Sequence, residues 1–531
     1  MPDISTSRIF GLNEERPAIV AEVIQRVLDG ASRSEASIEL AVNDTAYHEI
    51  ARLEGDKKRE AKLQEWKELY RALGRRSAED KRRILEGITA RYANDIVGNF
   101  DPRVYRFATG VVPRGLKLLF KGRDSRYGLE DRITIQGQVE ALQGLIHKGT
   151  VILVPTHSSN LDSIVVGWAL DAMGLPPFTY GAGKNLFSNF LLSFFMHNLG
   201  AYKVDRRLKD KLYKDTLKTY STVILERGYH SLFFPGGTRS RSGGIERKLK
   251  LGLMGTGLAA YINNLKAGKA QPNIYFVPMT INYPLVLEGQ SQVDDFLKIA
   301  GKSRYIIEDD ESSRLGRIAH YTKEILGFDG KMLLQVGQAI DPFGNAVDAE
   351  GVSRDMKNRA IDIRKYVEVD GKPEHDAARD TEYTRELGVA IGEAFGRNNV
   401  VLSTHMAAFV AFELVKAAHP GRDIYHLVRL PGDTTLSLQA IYDGMERLRD
   451  RLVIEMAAGR ILLSPTVQSE SIEHVLRTAQ RYFTMYHEKD LAVLEGEHVR
   501  INDVKLLFYY HNRLSGYGLE KLFEKPAVAH V

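Results

Sequence analysis

The sequence predicts an α/β protein, with a central, mostly parallel sheet between helical N-terminal and C-terminal regions. Three observations carry this. Strand-like and helix-like segments alternate between Arg132 and about residue 350. Before that stretch, apolar residues recur at helical spacing, with no β-alternation of useful length. After Asp348 the strand pattern stops and helical spacing returns. The expected organisation is a helical region over 1–125, an α/β domain over 126–350 and a helical region over 351–531. At 531 residues the chain is long enough for two or three separate cores.

The first region rests on PAIVAEVIQRVLDG and YHEIARLEG, followed by a charge-dense stretch from Asp56 to Glu86 that reads as solvated helix surface. In the α/β region, strand-like ITIQGQ leads into helical VEALQGLIHKG and then the β-branched VILVP. Further strands are expected at FTYGAG, YKVD, HSLFFP, NIYFVPMTINY and MLLQVGQAI. DDESSRLG, around residue 312, is polar enough to be a loop or insertion. The last region rests on YTRELGVAIGEAFG, HMAAFVAFELVKAA and TLSLQAIYDGMERLRDRLVIEMAAG. No internal repeat or low-complexity tract interrupts this layout.

Composition narrows the chemistry. With no cysteine, disulfides, thiolate metal sites and cysteine nucleophiles are excluded. A net charge of +5 and a pI near 8.9 tilt the surface toward anionic partners. No run approaches the ~20 apolar residues of a spanning helix, and the N-terminus lacks a charged-then-apolar signal pattern. The expected location is cytoplasmic, with peripheral contact on the inner face of the cell membrane.

In VILVPTHSSNLDSIVVGW, His157 stands five residues before Asp162. On one continuous helix that spacing turns the chain by ~500° and separates the two side chains. The pair meets if His157 lies in the loop after the strand and Asp162 in the first turn of the next helix. Ser159 or Asn160 would then be the N-cap. A carboxylate on one imidazole nitrogen fixes the tautomer and makes the other a base.

The segment SLFFPGGTRSRSGG passes from apolar strand to glycine-rich basic loop. Gly236, Gly237, Gly243 and Gly244 permit close approach or positive φ. Arg239 and Arg241 alternate with hydroxyl residues and suit phosphate oxygens. A third basic piece is GAYKVDRRLKD, with Lys203, Arg206 and Arg207.

Taken in this order, the segments resemble the glycerolipid acyltransferases, which act on glycerol-3-phosphate, dihydroxyacetone phosphate or lysophosphatidate. His157 and Asp162 match the family's first block, and Gly200 through Arg206 its second. FPGGTRSRSG matches its third block, often FPEGTRSRSG, and FVPMTI with Pro278 its fourth. GLPPFTYGAGKNLF and AIDPFGN look like the glycerol-3-phosphate or dihydroxyacetone-phosphate side of the family. The resemblance covers roughly residues 130–350. It implies His157 and Asp162 as the catalytic pair, with Arg206, Gly237, Thr238, Arg239, Arg241 and Pro278 at the acceptor. It implies acyl transfer from acyl-CoA or acyl-carrier protein to glycerol-3-phosphate, giving lysophosphatidate, with no cofactor and no metal. The alternatives are dihydroxyacetone phosphate or lysophosphatidate as acceptor. A weakened lipid-binding homologue is a further alternative, because Gly236 replaces the usual glutamate.

Because no cysteine is present, direct transfer is the simplest route; a serine ester at Ser158 or Ser163 has no G-x-S-x-G elbow behind it. NLFSNFLLSFFMHNLG places Phe187, Phe190, Leu191, Phe194 and Phe195 on one helical stripe, read as core or as membrane contact. VYRFATGVVPRGLKLLFKGR is a second membrane candidate. GLMGTG and GAGKN fit neither a dinucleotide fingerprint nor a P-loop, and no nucleic-acid module is present.

Overall fold

A computed structural model describes residues 7–119, 133–184, 187, 190–300, 332–430, 434–484 and 490–524. The DDESSRLG segment lies outside them.

Five helices come first: α1 (Leu12–Ala31), α2 (Glu35–Leu53), α3 (Glu60–Ala72), α4 (Ala78–Ile96) and α5 (Pro102–Leu119). Their starts are capped as the sequence allows. Ser34 accepts from the Ser37 N–H at the head of α2, and Ser77 from the Asp80 N–H at the head of α4. Apolar residues at helical spacing, among them Leu12, Ile19, Leu53, Leu85 and Ile96, bury together with Tyr202, Tyr220 and Val223. That apolar stripe holds the N-terminal helices against the sheet edge.

The α/β part alternates as expected: β1 (Ile133–Gly137), α6 (Val139–Leu145), β2 (Thr150–Pro155), α7 (Asp162–Ala172), β3 (Thr179–Gly183), α8 (Phe190–Asn198) and β4 (Ala201–Val204). It continues with α9 (Lys211–Glu226), β5 (Ser231–Leu232), α10 (Leu251–Lys266), β6 (Ile274–Asn282), α11 (Gly289–Ala300) and β7 (Met332–Val336). The seven strands form one sheet in the order β1-β7-β6-β2-β5-β3-β4. All pairings are parallel except β6 with β7. β2 and β6 are buried along their whole length, as strands covered on both faces must be.

This topology positions the site. β6, β2, β5, β3 and β4 all point the same way, so the loops after β2, β4, β5 and β6 leave from one edge of the sheet. In doubly covered parallel sheets, that carboxyl edge is where ligands bind.

The C-terminal region is mainly helical, but the expectation that strands stop after Asp348 needs correction. Thr434–Ser437, His498–Ile501 and Ala492–Glu495 form a three-stranded antiparallel sheet, and shorter pairs join Val400–Val401 to Leu462–Leu463 and Glu368–Val369 to Lys372–Pro373. These strands are two to four residues long and partly charged, too short for alternation to show. The helices Ser403–Ala418 and Val504–His511 pack into the same apolar cluster as Val151, Leu153, Val166 and Ile281 of the sheet layer.

Candidate active site

His157 lies in the loop after β2 and Asp162 opens α7, so the pair spans a loop-to-helix junction. Nδ1 of His157 stands 2.7 Å from Oδ2 of Asp162. Asp162 is fully buried, which makes its partners decisive. Oδ2 also accepts from the main-chain N–H groups of Ser158 and Ser159, at 2.6 and 2.9 Å. Oδ1 accepts from the hydroxyl of Tyr283 at 2.7 Å. Burial first, and then the Asp162 charge, push the Tyr283 phenol well above its ordinary range, so this hydroxyl stays a donor.

The expected cap is corrected by this geometry. Neither Ser159 nor Asn160 caps α7; the cap position is Leu161, without a side-chain bond. The Asp162 carboxylate instead reaches back to the loop N–H groups, and the Ser159 hydroxyl accepts from the Leu161 N–H. Four donors thus fix the carboxylate, and the carboxylate fixes the ring. With Nδ1–H donated to Asp162, Nε2 carries the lone pair. Phe234, from the end of β5, stacks on the ring at 4.3 Å between centroids and 25° between planes.

The arginine loop follows β5, the neighbour of β2. The Ser240 N–H donates to the His157 carbonyl at 2.7 Å, joining the two loops directly. Gly237 sits at φ +75° in the turn that its N–H closes onto the Phe234 carbonyl. Gly243, at φ +78°, lies so close to the Tyr509 carbonyl that a Cβ would meet it at 2.2 Å. The N–H groups of Gly237, Ser240 and Gly243 are engaged by protein carbonyls.

Arg239 turns inward, with its guanidinium 3.8 Å from Glu288. Glu288 is buried and accepts from the Ser159 hydroxyl and the Asn160 N–H, both at 2.9 Å, so it ties the arginine loop to the histidine loop. Burial raises its pKa. Of the second basic piece, Lys203 lies 3.5 Å from Asp95 and Arg207 pairs with Asp205 at 3.0 Å. Arg206 differs. It is exposed at the surface; desolvation by its neighbours and then the like charge of Arg241 lower its pKa, and among the described residues neither arginine pairs with a carboxylate. Two like charges held together favour a dianion between them. Thr238 is exposed at the tip of the loop. Pro278 lies away from these loops, buried inside β6 opposite Val154.

Several contributors lay outside the sequence-based prediction. Phe234 and Tyr283 come from the strand ends already named, so their position at the carboxyl edge was the available signal; Glu288, just before α11, had none. Tyr509 and Arg513, from the C-terminal region, had none. Arg513 is buried and donates to the Ile281 carbonyl and the Asn282 side chain at the end of β6. Tyr509 closes against Gly243, and Asn512 donates to the Ser242 carbonyl at 2.9 Å. With Ser158, Tyr283 and His405, Tyr509 and Arg513 also line a small cavity behind the Asp162 loop.

Residues 132–282 match the family model described as Acyltransferase. Over these residues the chain is similar to acyltransferases, the curated glycerol-3-phosphate acyltransferases among them. A glycerol-3-phosphate acyltransferase of Pseudomonas paraeruginosa is 28% identical over 224 residues, which are 42% of this chain and 25% of that one. Glycerol-3-phosphate acyltransferases of Ectopseudomonas mendocina, at 27% over 225 residues, and Pseudomonas putida, at 25% over 224, align over the same shares. The chain therefore spans about a quarter of the length of the curated relatives it matches. The 1-acyl-sn-glycerophosphate (LPA) acyltransferase PlsC of Thermotoga maritima matches 53% of this chain and 79% of its own, at 16% identity and a TM-score of 0.25. That likeness is too slight to bear on the fold. The acyltransferase domain contains every strand-end loop of the site up to Asn282, whereas Tyr283, Glu288, Tyr509 and Arg513 lie beyond the matched residues.

Proposed function

We propose that the chain moves a fatty acyl group from a thioester, acyl-CoA or acyl-carrier protein, to a hydroxyl of glycerol-3-phosphate, giving lysophosphatidate. The observation that carries this is the His157–Asp162 pair, whose loop is bonded directly to the arginine loop through the Ser240 N–H. An acceptor hydroxyl is scarcely ionised at neutral pH. Nε2 of His157 takes its proton as the oxygen attacks the thioester carbonyl, and Asp162 stabilises the imidazolium that forms. The thiol leaves readily, with a pKa of ~8.5 by analogy with cysteine. Arg206 and Arg241 grip the acceptor phosphate, and Arg239, held by Glu288, keeps the loop in place. Gly237 and Thr238 shape the turn that presents them, and Pro278 acts only through the strand. The relatives' printed names favour glycerol-3-phosphate over dihydroxyacetone phosphate or lysophosphatidate as acceptor. The proposed transfer uses only side chains of this chain and needs neither metal nor cofactor.

Peripheral contact with an anionic bilayer belongs to the same reading. Phe107 and Phe194 are exposed, and Phe107 stacks on Phe195, which gives an aromatic face at α5 and α8. The side chains of Phe190 and Leu191 lie outside the described residues, as do those of α5 beyond residue 110. No described helix is long and apolar enough to cross a membrane.

The test is thiol release from acyl-CoA, and separately from an acyl-carrier-protein thioester, with each of the three acceptors. Transfer to none of them, or transfer unaffected by His157→Ala, refutes the mechanism.

A further inference from the structure

Gly236 is a glycine that its backbone does not need. Its φ is not positive, unlike those of Gly237 and Gly243 on the same loop. What excludes a side chain there is another side chain. A Cβ at position 236 would meet the Glu246 carboxylate, with Oε1 at 2.2 Å, Cδ at 2.4 Å and Oε2 at 2.7 Å. Glu246 has folded back across its own loop into the space that a residue at 236 would fill.

That carboxyl is not built like a structural one. Its Oε2 is sealed from solvent and has no hydrogen-bond partner. Asp162 and Glu288, the buried acids of the site, are bonded on both oxygens, whereas Glu246 is only half-buried. A buried polar atom left unpaired costs stability and asks for an explanation, and a bound ligand is one. The carboxyl stands beside the main-chain N–H of His157 and within electrostatic reach of Asp162 and Arg513. Burial and the Asp162 charge push its pKa up to about 8, so at neutral pH it holds a proton that it can donate.

We propose that Glu246 is an acceptor-binding residue, whose carboxyl enters the site through the space left by Gly236 and hydrogen-bonds a polar oxygen of the phosphorylated acceptor. This rests on the acyl-transfer reading above. It also removes the reason for treating the chain as a weakened homologue, since the carboxyl absent at 236 arrives from position 246.

Steady-state kinetics on the full chain tests it, with acyl thioester and glycerol-3-phosphate varied in turn. Glu246→Ala is expected to raise the acceptor KM about tenfold or more, the loss expected for one hydrogen bond to a ligand. The thioester KM should not change. Gly236→Ala, whose methyl displaces the carboxyl, should show the same split. Gly236→Glu in the Glu246→Ala background should bring the acceptor KM back toward that of the wild type. Melting temperatures confirm that each variant is folded. A folded Glu246→Ala protein with an unchanged acceptor KM overturns the proposal and leaves the acyl-transfer reading intact. A double variant no better than Glu246→Ala also overturns it. A wild-type protein that acylates no acceptor overturns both readings together.

Discussion

Asp162→Asn separates the chemistry of the site from its architecture. The aspartate accepts four hydrogen bonds, three on Oδ2 and one on Oδ1. An asparagine oriented with its oxygen in place of Oδ2 keeps the bonds from Ser158, Ser159 and His157, while its NH2 group faces a Tyr283 oxygen that can accept. The fold should therefore lose little, on the order of 1 kcal/mol. What disappears is the charge that stabilises the imidazolium. If His157 is the base, kcat should fall by about 10² to 10⁴, equivalent to about 2.7 to 5.4 kcal/mol of activation energy. Asp162→Ala should behave otherwise. It leaves two buried main-chain N–H groups and the Tyr283 hydroxyl without an acceptor, at about 1–3 kcal/mol each and not strictly additive. Stability and activity should then fall together. The assay is thiol release alongside urea unfolding. A folded Asp162→Asn enzyme with kcat within about threefold of wild type would refute the role given to the pair, since its loss would then lie far below the range for a general base.

Other consequences are equally direct. Arg206→Ala and Arg241→Ala should each raise the acceptor KM by roughly tenfold to a hundredfold without moving the thioester KM, as loss of a charge-assisted phosphate contact of about 1.5–3 kcal/mol requires. Glu246→Gln should change how stability depends on pH. The Glu246 pKa is raised from 4.5 to about 8 in the folded protein, so between those values the unfolded chain releases a proton that the fold retains. Wild-type stability is therefore fully present below pH 4.5 and eroded as pH rises toward 8, with a ceiling of about 5 kcal/mol. The melting-temperature advantage of Glu246→Gln should grow between pH 5 and pH 9; a constant gap refutes the shift. Gly243→Ala places a methyl 2.2 Å from the Tyr509 carbonyl at φ +78°. It should lower stability by at least the roughly 1–2 kcal/mol of left-handed strain, with loss of activity as the arginine loop moves. Phe107→Ser with Phe194→Ser should weaken co-sedimentation with anionic vesicles while leaving turnover of soluble substrates in place; unchanged binding removes these rings from any membrane contact.

How much of this was legible in the sequence depends on how far the decisive contacts reach along the chain. His157 and Asp162 are five residues apart, so a strand, a loop and a helix start suffice to place them, and those carry local patterns. The arginine loop was readable for the same reason, as a glycine-rich basic stretch directly after a strand. The cap of α7 was misplaced because serine and asparagine are good caps on average. Here the Ser159 hydroxyl is drawn to Glu288 and the Leu161 N–H, while the first-turn carboxylate of Asp162 reaches back to the loop N–H groups of Ser158 and Ser159. Glu246 is ten residues from Gly236, yet its position depends on how the loop between them closes. That closure is set by Tyr509, Asn512 and Gly516, which hold Gly243, Ser242 and Arg247 from some 270 residues away. No periodicity or motif carries such a contact. On the role proposed for Glu246, the glutamate missing at 236 is an exchange of position and not a loss. The exchange depends on the C-terminal region staying docked. The residues that clamp the arginine loop, Tyr509, Asn512 and Gly516, all lie outside the acyltransferase match at 132–282, so the site is completed by a part of the chain that the family pattern does not describe.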